Sequence, residues 1–174
     1  MKSVPKKELE LFVHTQKLKG LGTIQVVVDQ KSIYAICFDG ELDSVLKRLG
    51  KTYELICTDG ENKISRECFK QIEKYLSKKI KAFDLPLKLV GTEFQKKIWQ
   101  QLLKIPYGQI STYKQIGLAL KMKNGFQSIG QANKSNPICL VIPCHRVISS
   151  SGQLSGYIGG SQIKMSLLKL ESST

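Results

Sequence analysis

Two early stretches carry the apolar pattern of β-structure. Residues 23–28 (T-I-Q-V-V-V) and 32–38 (S-I-Y-A-I-C-F) are rich in β-branched and aromatic side chains. Asp29-Gln30-Lys31 between them supplies a turn, so the pair reads as a hairpin. Residues 1–20 are basic and weakly patterned. Residues 41–49 predict a short helix ended by Gly50, and residues 53–57 a third strand closed by Thr58-Asp59-Gly60. From Ser65 the period lengthens. Phe69, Ile72, Leu76, Ile80 and Phe83 recur at three and four, one face of an amphipathic helix running to Asp84-Leu85-Pro86. Residues 87–90 have strand character and read as a linker. The expectation is an α+β domain over 1–88, a small three-stranded antiparallel sheet with helix, and nothing in it looks catalytic.

The rest of the chain, 89–174, reads as mostly helical. Thr92-x-x-Gln95 and Thr112-x-x-Gln115 are capping boxes, each opening a helix. Phe94, Ile98, Trp99, Leu102 and Leu103 line the first, and Tyr113, Ile116 and Leu120 the second. After the Asn124-Gly125 turn, Phe126, Ile129 and Ala132 mark a third helix that ends near Ser135-Asn136, because Pro137 disfavours helical geometry just before it. Three short helices with tight connections resemble a helix-turn-helix, and a purely structural helical hairpin fits the pattern equally well. The apolar run 138–142 (I-C-L-V-I) reads as a buried strand, and Pro143 stops it. Ser161 opens a closing helix with Ile163, Leu167, Leu168 and Leu170 on its apolar side.

Charge adds a partner class. The 174 residues carry a net +13, which favours an anionic partner over a merely solvated surface. The balance is skewed: 17 basic and 12 acidic residues lie in the first 90, against 10 basic and only Glu93 and Glu171 beyond them. No apolar run approaches the roughly 20 residues of a membrane span, and no signal-peptide segment opens the chain. The expectation is a soluble intracellular protein, nuclear if its source is eukaryotic and cytoplasmic if prokaryotic. Five cysteines with no Cys-x-x-Cys pair, and only two histidines, argue against a disulfide framework or a metal site.

Pro143 is followed by a thiol, an imidazole and a guanidinium: Cys144, His145 and Arg146. A thiolate is the nucleophile, and an ordinary Cys is only slightly ionised at neutral pH. His145 is the candidate base and Glu171 the candidate to orient it. Neighbours on a strand point opposite ways, so a turn or a water must bring Cys144 and His145 into communication. On the residues alone, this nucleophile weighs evenly against a buried Cys beside a structural His.

Ile142-Pro143-Cys144-His145-Arg146-Val147 resembles the active-site signature of the O6-alkylguanine-DNA alkyltransferases. The resemblance covers the second half of the chain: F-Q-x-x-I-W from Phe94, Tyr113 at a helix start, Asn136-Pro137, Ser155-Gly156-Tyr157, and Glu171. It implies a ribonuclease H-like N-terminal domain, a winged helix-turn-helix that approaches the minor groove of double-stranded DNA, and a flipped-out alkylguanine. It implies that Cys144 takes the alkyl group in a single irreversible displacement, with no cofactor and no metal. O4-alkylthymine is a second candidate substrate. By the same resemblance His145 takes the thiol proton, Glu171 polarises His145, Tyr113 donates to the guanine ring, and Asn136 holds the Cys region. Val147, Tyr157 and Ile158 are implied to line the guanine site, and Phe126, Gln127, Ser128 and Arg146 to face DNA. A monomer with no obligate protein partner is expected.

The chain departs from that family at the tip of its third helix. Members usually place an inserted Arg where Gln127 stands, and a smaller residue where Phe126 stands, which makes Phe126 a candidate wedge. Ile158 also replaces a small residue, and the zinc ligands of some members are missing. The competing readings are a lesion sensor that binds without repairing, which lacks the nucleophilic Cys; a Cys-His-Glu hydrolase; and a basic transcription regulator.

Overall fold

A computed structural model describes residues 5–122, 125–152, 154 and 156–172. Its first half is built on a four-stranded sheet of β1 (Lys7–Leu18), β2 (Gly22–Val28), β3 (Ile33–Phe38) and β4 (Tyr53–Asp59), in the order β3-β2-β1-β4. The β2–β3 hairpin forms as the pattern predicts, its turn held by Asp29 Oδ1 accepting from the amides of Lys31 and Ser32. The expected three-stranded antiparallel sheet is corrected in two ways. The weakly patterned start holds the longest strand, β1, and β4 pairs with β1 in parallel. The alternation Glu8-Leu9-Glu10-Leu11 carried that signal, diluted by flanking charges.

The sheet buries both faces. Leu11, Val13, Val27 and Ala35 pack against α1 (Leu42–Leu49), which Gly50 ends. Ile24, Val26 and Ile36 pack against α2 (Lys63–Leu76) and onward into the second half. Helix α2 is shorter than its periodicity implies. It stops at Ser77, and Lys78 takes a left-handed φ of 59°, while Ile80 and Phe83 still reach the core from the following loop.

Both capping boxes form, opening α3 (Glu93–Leu102) and α4 (Tyr113–Ala119). Helix α5 (Phe126–Lys134) ends at Ser135 as Pro137 requires, and α6 (Ser161–Ser172) closes the chain. Trp99 donates from Nε1 to Ala132 O at 2.8 Å, pinning α5 across α3. The apolar stripe of α3 is narrower than predicted: Phe94 and Leu103 stay exposed.

The run 138–142 is buried but is not a strand. It touches β3 through one bridge, Ile36 with Ile138, and then coils through turns with Leu140 at a φ of 69°. Burial comes from β3 beneath it, so hydrophobicity signalled depth and not extension. The turns deliver Cys144–Arg146 as one turn of 3-10 helix. Two short strands, β5 (Ser111–Thr112) and β6 (Val147–Ile148), then pair in parallel and set the start of α4 beside the residues after Cys144.

Candidate active site

Asn136 builds the seat of Cys144. Its Oδ1 accepts from Ile138 N at 3.0 Å, and its Nδ2 donates to Ile142 O at 2.9 Å and to Cys144 Sγ at 3.0 Å. One amide thus closes the coil and points a donor at the sulfur. Asn133 adds a contact from α5 to Cys144 O at 3.5 Å, so the third helix and the thiol are physically tied. Cys144 itself is 2% exposed.

Several groups favour the Cys144 thiolate. The neighbouring Cys139 thiol lowers its pKa below the ordinary thiol value, against the opposing effect of burial; the hydrogen bond from Asn136 and the Lys164 cation add to this. The Cys139 thiol is pushed well up in consequence, so Cys144 is the sulfur that ionises. Neither Cys139 nor Lys164 was singled out from sequence. Lys164 is fully buried on α6 and donates from Nζ to Val147 O at 2.6 Å. It lies seven residues before Glu171, two helical turns away on the same face, and that spacing was the available signal.

Because residues 144–146 form a helical turn, His145 and Arg146 both swing inward onto Glu171. His145 Nε2 lies 2.8 Å from Glu171 Oε1. Arg146 donates from Nε to Oε2 at 2.9 Å and from Nη2 to Oε1 at 2.9 Å, and from Nη1 to Ile105 O at 2.7 Å. Gly108 N donates to Oε2 at 3.0 Å, and the Tyr75 hydroxyl donates to Oε1. Burial would raise the Glu171 pKa, yet the hydrogen bonds from His145 and Arg146 outweigh it and bring it down to about 2.

The ionised carboxylate can only accept, so Nε2 of His145 carries the proton. The imidazole's other nitrogen, Nδ1, is buried with no hydrogen-bond partner among the described residues. Burial lowers the His145 pKa, with Glu171 acting against it, which leaves the ring neutral at pH 7. Nδ1 is therefore a bare lone pair held in a fixed orientation, the requirement for a general base.

Two sequence expectations are revised here. Arg146, expected at the DNA face, is 7% exposed and its guanidinium turns inward to clamp Glu171. The N-terminal domain is not chemically silent, since Tyr75 on α2 completes the Glu171 shell.

The packing around the residues implied to meet the guanine draws on both halves. Gly156, at a φ of 82°, faces the Tyr113 hydroxyl, and a Cβ there would lie 3.8 Å from it. Tyr157 is buried, edge-on to His145 and to Phe38 of β3, and its hydroxyl has no partner among the described residues. Gly159 lies flat on Phe38, where a Cβ would come within 2.8 Å of the ring. Val147 is fully buried, and Ile158 is half-buried beside Tyr157. Ser155, part of the quoted signature, lies outside the described residues, as does Asn124 of the predicted turn.

On α5, Gln127 and Ser128 are exposed, and Ser128 Oγ donates to Gly125 O at 2.6 Å. Phe126 instead turns back onto α4. Gly117 has no side chain where Phe126 sits, and a Cβ there would approach the ring to 2.6 Å. The ring fills a notch between the two helices, so it is not poised as a wedge.

Residues 93–173 match the family described as 6-O-methylguanine DNA methyltransferase, DNA binding domain, and residues 20–89 match its ribonuclease-like domain. A methylated-DNA–protein-cysteine methyltransferase of Methanosarcina barkeri is 49% identical over 109 residues, covering 63% of this chain and 69% of that protein. The protein of the same name from Mycobacterium leprae is 43% identical over 111 residues, 64% of this chain and 67% of its own. The fold is similar to that of Mycobacterium tuberculosis OGT in complex with DNA, with a TM-score of 0.78 and 30% identity over 93% of each chain.

Proposed function

Because the chain belongs to the 6-O-methylguanine DNA methyltransferase family, we propose that it repairs DNA by moving the alkyl group of O6-alkylguanine onto its own Cys144, once per molecule. The observation that carries this reading is the bare Nδ1 of His145, fixed by Nε2–H on Glu171 and adjacent in chain to the sulfur. The thiol proton passes to Nδ1, directly or through water. The Cys144 thiolate attacks the alkyl carbon; the sulfur–carbon bond forms as the carbon–O6 bond breaks, and the electron pair stays on guanine. Tyr113, facing Gly156 across the pocket mouth, supplies a proton donor to the ring as that charge develops. The product is a thioether, a poor leaving group, so the acceptor is consumed.

Gln127 and Ser128 are the α5 residues offered to the duplex, with Gln127 entering where the base leaves. The glycines beside Tyr157 and the half-buried Ile158 bound the space for the base.

The test uses a duplex with a labelled O6-methyl group on one guanine. Label should appear on protein in at most one equivalent, and Cys144→Ser should abolish transfer while still binding the duplex. Binding by wild type without transfer would overturn the reading. A parallel duplex with labelled O4-methylthymine decides whether that base is also a substrate.

A further inference from the structure

The first 90 residues hold 12 of the 14 acidic side chains, yet a cleft at their border with the second half has none among its described lining residues. It lies where α1, the linker and the start of α3 meet, and encloses about 590 Å³. Arg48, Lys51, Lys88 and Lys96 line it, with no carboxylate among the described lining residues. Of the four, Lys96 pairs with the highly exposed Glu93 at 3.0 Å, and Arg48 lies within the field of Glu41. Lys6 donates from Nζ to Gly50 O, setting a fifth cation next to Lys51. Solvated lysine faces on small domains are normally interspersed with acids, and this concentration of one sign in a concave wall is not.

The cleft is joined to the DNA-reading helix. Arg48 Nη1 donates to Ser135 O at 2.6 Å, and Gln95 Nε2 donates to Ser135 Oγ at 3.1 Å. Ser135 is the residue that ends α5, and Lys134 stands in its last turn. From Gln127 to Ser135 is eight residues, about 12 Å at 1.5 Å per residue, so the cleft meets α5 at the end away from its tip. A duplex covers the length of the helix in roughly three to four base steps, at about 3.4 Å each.

We propose that this cleft is a second phosphate site, which takes backbone phosphodiester oxygens of the duplex flanking the lesion and extends the DNA footprint onto the N-terminal domain. The inference rests on the repair reading above and adds a surface that reading does not need. Lys51 and Lys88 would each neutralise one phosphate on one side of the damaged base only, because the cleft lies at one end of α5. An acidic protein or a free anion could meet the same charge, and the experiment separates these from DNA.

Binding is measured by fluorescence anisotropy in a Cys144→Ser background, with a short duplex spanning only the lesion and with duplexes extended on either side. Without further change, the protein should bind more tightly when one particular flank is extended. Adding Lys51→Gln and Lys88→Gln should remove that gain and leave the short duplex and the melting temperature unchanged. On the extended duplex, the slope of log K against log salt should fall by about 1.8, roughly 0.9 per lost phosphate contact. Equal losses on short and extended duplexes, or no gain from extension on either side, would overturn the proposal. Displacement by inorganic phosphate at matched ionic strength, without any flank effect, would assign a free-anion site instead. Label transfer to Cys144 from the short duplex keeps the two readings apart. Its failure in wild type defeats the repair reading, whereas intact transfer with no flank effect defeats the cleft alone.

Discussion

The hydroxyl of Tyr75 donates to the same Glu171 oxygen that holds Nε2 of His145. The two residues are 96 positions apart, one on the last turn of α2 and the other near the end of α6. The N-terminal half thus reaches the carboxylate that holds His145. Replacing Tyr75 with Phe keeps the ring and removes one donor. We expect a stability loss of about 1.5–3 kcal/mol, the usual scale for a hydrogen bond to a charged group, and a severalfold slower transfer at saturating DNA. Thermal melts and single-turnover label transfer read the two effects separately.

Glu171 makes a second prediction, in acid. Its folded pKa of about 2 lies below the ordinary 4.5, so the folded state binds fewer protons than the unfolded one between these values. The resulting stability is fully present above pH 4.5 and is lost as pH falls toward 2; it is on the order of 3 kcal/mol at 1.36 kcal/mol per pKa unit. The lowered His145 acts in the same direction, beginning as pH drops below 6.5. Urea titrations from pH 7 to 3 should show falling stability, and Glu171→Gln should flatten the acid limb. An equally steep limb in that variant would contradict the assignment.

Removal of Glu171 outright is more severe than its neutralisation. Glu171→Ala leaves Arg146 buried without its anion, at an expected cost of roughly 3–5 kcal/mol. Arg146→Met should be milder on stability, because it takes the guanidinium away with its need for a partner. Chemical denaturation of the two variants gives the ranking.

Lys164 and Cys139 both lower the Cys144 pKa, so the transfer rate should persist to lower pH than an ordinary thiol permits. Lys164→Met should shift the alkaline rise of the rate to higher pH without changing its plateau. Cys139→Ala should move it in the same direction by removing the neighbouring thiol. A pH–rate profile that stays in place in both variants would mean that neither group acts on the sulfur.

At the α5 tip, Phe126 and Gln127 should behave differently. Phe126→Ala empties the notch beside Gly117 and is expected to destabilise the fold by about 2 kcal/mol, less than a fully buried Phe because the ring is half-buried. Gln127→Ala should leave stability within about 0.5 kcal/mol, as for an exposed position, and should slow transfer from duplex more than from single-stranded DNA. Equal slowing on both substrates would remove Gln127 from base extrusion.

Local rules were legible in the chain. Thr92 and Thr112 opened their helices, Gly50 and Pro137 closed theirs, and the β2–β3 hairpin formed on its turn, because caps, turns and periodicity act over a few residues. The reactive segment after Pro143 was equally visible, since its residue types announce their chemistry. Other features depended on what lies opposite. Strand β1 became central only because β2 and β4 flank it, and the run 138–142 took its turns over β3 where its hydrophobicity alone suggested a strand. Arg146 went inward because Glu171 and the Ile105 carbonyl were there to receive it, and Tyr75 and Lys164 joined the site from helices whose patterns spoke only of packing. A single sequence encodes which groups are available. The partner that offsets the desolvation of a buried charge or hydroxyl is set by contacts dozens of residues away, and those exist only once the chain has folded.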